Sequence, residues 1–120
     1  MAKFIRDYDI GQNGEAVFND INAYLVSEGY KYVKYKGQDV FKKGNGFVSG
    51  PTFFKLTFYG SVLRLETWLA FAWLPGVYSG EIGPDGFVGA AVKGPWRSRI
   101  AVVDATVRRY GYQIATPGTN

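Results

Sequence analysis

Cysteine and histidine are both absent from this chain of 120 residues. Without cysteine there is no disulfide and no thiol nucleophile, and without either residue no zinc site of the Cys/His kind. Without histidine there is no imidazole general base and no Ser-His-Asp triad. Long apolar runs are missing too. The longest uncharged stretch, Thr67 to Gly80, has 14 residues and is broken by Pro75-Gly76. A membrane-spanning helix needs about 20 apolar residues. The start, Met1 to Asp7, mixes charges and lacks the apolar centre of a signal peptide. These absences lead to the expectation of a cytoplasmic protein with no transmembrane segment and no cofactor.

What is present is a globular balance, 47% hydrophobic and 20% charged, at a length that suits one domain. The net charge of +4 is mild, but it is unevenly placed. Six lysines and a single acid, Asp39, fall between Lys31 and Lys55.

Alternation predicts a strand over Lys3 to Ile10, imperfect enough to suit a sheet edge. Val17, Phe18, Ile21, Tyr24 and Leu25 form one helical stripe, with Asn13 as N-cap and Gly29 beyond the end. Tyr30 to Lys36 and Asp39 to Lys43 read as strands around a Gly37-Gln38 turn, which sets Tyr35 opposite Val40. Thr52 to Tyr59 and Val62 to Ala72 flank Gly60-Ser61. A two-residue turn there pairs Phe58 with Leu63, Leu56 with Leu65 and Phe54 with Thr67 on a core face. It pairs Thr57 with Arg64, Lys55 with Glu66 and Phe53 with Trp68 on the other. Short strands are expected at Val77 to Ile82 and Phe87 to Val92. A last helix is expected to open at Gly94-Pro95, bury Trp96, Ile100, Val103, Val107 and Tyr110, and stop at Gly111.

The order strand, helix, several strands, helix predicts an α+β domain over residues 1–112: one antiparallel sheet with two helices on one face. Residues 113–120 are expected to be a flexible tail.

Several motifs fall short of a known chemistry. Lys43 to Gly50 resembles the longer motif of RNA-recognition domains, but Asn45 and Gly50 stand where aromatics are needed. Gly44, Gly46 and Gly50 are followed by Pro51 and a strand, not by the helix a phosphate-cradling loop requires. Asp7 and Asp9 begin like a calcium loop, but Gln12 and Phe18 stand at its essential glycine and glutamate positions. Glu66, Glu81, Asp85 and Arg64 could serve acid–base chemistry, yet no spacing fixes them together, so no enzyme is expected.

Two surfaces remain as binding candidates. Lys31, Lys34, Lys36, Lys42 and Lys43, interleaved with tyrosines, suit an anionic partner. Trp73, Tyr78 and Phe87 lie among the glycines of residues 76–94 and suit a protein or a membrane surface. The leading expectation is a non-catalytic interaction module for a protein or anionic surface. The alternative is a nucleic-acid-binding domain that uses the Lys31 to Lys55 strip.

From Lys43 to Lys93 the chain is similar to a small bacterial domain family of unknown function. The similarity rests on Lys43-Gly44, Gly50-Pro51, Arg64-Leu65-Glu66, Trp68-Leu69, Leu74-Pro75-Gly76-Val77-Tyr78, Gly80-Glu81, Asp85-Gly86-Phe87 and Val92-Lys93. The resemblance implies no activity, ligand or catalytic residue.

Overall fold

The structure, a computed structural model, describes residues 3–44, 51–71, 80–82 and 90–115. Strand β1 (Phe4–Asp9) is followed by helix α1 (Gly14–Ser27), then β2 (Lys31–Tyr35), β3 (Gln38–Lys43), β4 (Thr52–Tyr59) and β5 (Val62–Phe71). Strand β6 (Gly80–Ile82), helix α2 (Ala90–Arg108) and β7 (Tyr112–Ile114) complete the described chain. The strands form one antiparallel sheet in the order β2-β3-β4-β5-β1-β7. Strand β6 takes up the edge of β5 at Leu69 to Phe71, beyond the stretch paired with β1.

Both helices lie on one face of this sheet. Val17, Ile21 and Leu25 of α1 and Trp96, Ile100, Val103 and Val107 of α2 pack against Tyr8, Phe41, Phe54, Leu63, Leu65 and Leu69. This is the expected α+β architecture. The β4–β5 register agrees with the sequence expectation at all six pairs named for it. Phe58, expected in the core, is 38% exposed. Glu66 is opposite Lys55, but its carboxylate lies 3.6 Å from the Lys3 ammonium on the other neighbouring strand.

The opposite face is also apolar in part. Val40, Phe53, Trp68 and Ala70 form a second buried cluster, flanked by Val33 and Tyr35. Tyr35 packs on Phe53, and Phe53 stacks on Trp68 at 5.2 Å. Lys3 lies over the Trp68 ring. Consecutive apolar residues in β4 (Phe53, Phe54) and β5 (Trp68, Leu69, Ala70) therefore serve two faces, as in strands buried on both sides.

Four expectations need correction. Strand β1 is internal, because β7 pairs with its far edge at Asp7 to Asp9. Gln113 and Ile114 are thus part of the sheet and not of a tail. Helix α2 starts at Ala90, so residues 90–92 are helical where a strand was expected. The helix runs through Pro95, and Gly94 before it has no Cβ to meet the proline ring. Asn13 is the N-cap residue of α1, but its side chain makes no cap bond. Its amide instead donates to the carbonyls of Ile10 and Tyr110, tying the end of β1 to the end of α2.

Polar clasps join the helices to the sheet and to each other. The Tyr8 hydroxyl donates to Asp104 at 2.6 Å, Tyr110 donates to Asp20, and Arg99 pairs with Glu28 at 2.9 Å. Burial, and then the Asp104 carboxylate, push the Tyr8 pKa well above the ordinary tyrosine value; burial also raises that of Tyr30. A raised folded-state pKa stabilises the fold fully below the unfolded value and loses that contribution as pH rises above it. Stability is therefore expected to hold up to about pH 10 and to fall beyond it. Alkaline titration followed by tyrosinate absorbance and circular dichroism checks this. Tyr8 and Tyr30 should ionise only together with unfolding. Ionisation of all nine tyrosines with the fold intact would contradict it.

Among the described residues, no helix is long and apolar enough to cross a membrane.

Candidate anion-binding site

The β2–β3 hairpin builds the site. Its turn is Lys36-Gly37, one residue earlier than expected, because Tyr35 pairs with Gln38. Both turn residues have positive φ, 52° and 79°, as a type I′ turn requires. The β2–β3 pairing slips by two residues relative to the sequence expectation. Every side chain keeps its face, but the partners change. Val33 now faces Val40, and Lys31 faces Lys42.

That last pair is unusual. Directly opposed residues have Cβ atoms about 5 Å apart, and like charges there are destabilising. Neither Lys31 nor Lys42 has an acidic partner among the described residues. Both belong to a half-open depression of about 400 Å3, which Lys34 and Lys43 also line. Val33 and Tyr35 supply apolar wall, and Gly29 and Gly44 also line it. Among the described residues, none that lines it is acidic.

The other sequence candidates fall into different roles. Lys34 points to the helix-bearing face and makes an exposed ion pair with Asp39 at 3.1 Å, of little energetic worth. Lys36 sits at the hairpin tip, with its ammonium 5.3 Å from the Tyr35 ring centroid. The Lys43 ammonium donates to the Glu28 carbonyl at 2.6 Å. It thus caps the C-terminus of α1, where a cation suits the helix dipole. Gly29, just past the helix end, has a positive φ of 96°, a conformation that favours glycine. Lys55 lies on the outer face opposite Glu66. The lysines from 31 to 55 are therefore divided between the two faces of the sheet. The sequence missed the opposition of Lys31 and Lys42, since only the correct turn position reveals it.

The acid–base candidates within the described part have structural partners. Arg64 makes a two-pronged contact with the buried Asp7, at 2.9 and 3.0 Å, and Glu66 pairs with Lys3. Among the described residues, no group of acids could hold a metal ion. Trp73, Tyr78, Asp85 and Phe87 lie outside the described residues, as does the glycine-rich loop 45–50; the Glu81 side chain is not described either.

No family model, curated protein or solved structure matches this chain. A functional reading rests on the site alone.

Proposed function

We propose that the protein is a non-catalytic binding module for an anionic partner, engaged at the depression along the β2–β3 hairpin. The observation that carries this reading is the Lys31–Lys42 opposition in a hollow that no described acidic residue lines. A like-charge pair costs the free protein stability. A bound anion would turn that cost into attraction, since each ammonium would face a negative group in a partly desolvated setting. The hollow lies on β2 and β3, separated by β4 from Arg64 and Glu66 on β5. Each of these two has its own partner, Asp7 and Lys3, which supports binding rather than catalysis.

Titration calorimetry with inorganic tripolyphosphate, at low and at physiological salt, tests the reading. Binding should be measurable at low salt and should weaken as salt screens the lysines. Lys31→Ala should weaken it by about tenfold, the loss of one charge-assisted contact. Absence of binding at low salt, or an unchanged affinity in Lys31→Ala, would overturn it.

A further inference from the structure

We infer that the partner is an extended acidic peptide that adds as a strand to the free edge of β2. This inference rests on the anion-binding reading and names the class of partner for the same site.

Strand β2 ends the sheet order, and among the described residues its only sheet neighbour is β3. In a two-residue hairpin the pair that flanks the turn exchanges hydrogen bonds, and bonded and non-bonded pairs then alternate. Tyr35–Gln38 is the flanking pair here, so Val33 and Lys31 direct their backbone groups to β3. Tyr32 and Lys34 direct theirs outward, to the free edge. That edge offers two amide donors and two carbonyl acceptors to a further strand.

Charge selects what kind of strand. Side chains of an added strand alternate between the two faces of the sheet. The basic groups of this edge do the same: Lys31 and Lys42 stand on the outer face and Lys34 on the helix-bearing face. Residues of a partner opposite Lys31 and Lys34 are three apart and fall on opposite faces, so two carboxylates at that spacing would meet both. Between them the partner would face Tyr32, which is 52% exposed, and Val33, both suited to β-branched neighbours. A polyphosphate or nucleic-acid backbone on the outer face would reach Lys31 and Lys42, whereas the side chain of Lys34, although that residue also lines the depression, stands on the other face beside Asp39. The division of lysines between faces, which weakens the case for a nucleic-acid track, is what an added strand requires.

Edge lysines also act as guards against unwanted strand pairing. A guard predicts no uptake of any strand, so the two roles separate by experiment. The whole chain would be titrated with a short threonine–valine peptide carrying two glutamates three residues apart. Its counterparts would be the same peptide N-methylated at alternate amides, which keeps charge but blocks pairing, and tripolyphosphate. The unmodified peptide should bind about tenfold tighter than the N-methylated one, and the Tyr32 and Lys34 amides should gain protection from hydrogen exchange. Lys34→Glu should weaken binding, and a peptide with lysine in place of the facing glutamate should restore it. If the N-methylated peptide and tripolyphosphate bind as well as the unmodified peptide, the site takes anions but not strands, and the inference fails alone. If neither peptide nor tripolyphosphate binds, the inference and the anion-binding reading fail together.

Discussion

Trp96→Ala is expected to cost about 3–5 kcal/mol of stability, as for other large aromatics removed from cores. Trp96 is fully buried on α2 and packs in the cluster between both helices and the sheet. Its indole N–H also donates to the Thr67 hydroxyl at 2.9 Å. That hydroxyl in turn donates to the Phe53 carbonyl at 2.6 Å, so the chain of bonds runs from the helix layer into β4. Alanine would leave a cavity and take away one bond of this chain. Trp96→Phe fills most of the space and should cost about 1 kcal/mol, the worth of one hydrogen bond. Urea unfolding of both variants checks this. Equal stability of Trp96→Ala and the parent would place Trp96 outside the core.

Gly111→Ala is expected to cost about 3 kcal/mol, the upper end of overpacking penalties. A Cβ at this position would lie 1.9 Å from the Asp9 carbonyl oxygen and 2.9 Å from the Ile10 Cα. Both are backbone atoms and cannot turn aside as a flexible side chain can. The turn from α2 into β7 presses directly on the end of β1, so relief must separate β7 from β1. Amide exchange at Tyr112 to Ile114 should therefore rise more than exchange in β4 and β5. A stable Gly111→Ala protein with β7 still protected would contradict the close approach.

These two residues also show what was legible in the sequence. Trp96 belongs to a helical stripe, and periodicity places it in the core without further help. Gly111 is legible as a helix stop, but its close contact with β1 depends on β7. Tyr112-Gln113-Ile114 is too short for alternation to reveal a strand. The β4–β5 register was readable because the Gly60-Ser61 turn, the alternating apolar residues, the Lys55/Glu66 charges and the Phe53/Trp68 rings all specify one pairing. In β2–β3 these signals disagree. Gly37 fits either the first position of one turn type or the second of another, and a lysine with positive φ is uncommon. The faces survive the two-residue slip, so the buried positions were legible while the partners were not.

For the same reason the site was only half legible. The lysine-rich composition of residues 31–43 was plain, but in the expected register Lys42 would face Val33. The observed register opposes it to Lys31. Lys43 carried no sign of its capping role, which depends on the packing of β3 against the end of α1.

We propose that the protein keeps the Lys31–Lys42 opposition because an anion occupies it. Parallel melting and binding measurements on Lys42→Glu test this most directly. The substitution turns a repulsive cross-strand pair into an attractive one. It should raise stability by about 0.5–1 kcal/mol in the free protein while abolishing binding of tripolyphosphate. A Lys42→Glu protein that is less stable than the parent, or that binds tripolyphosphate as the parent does, would contradict the claim.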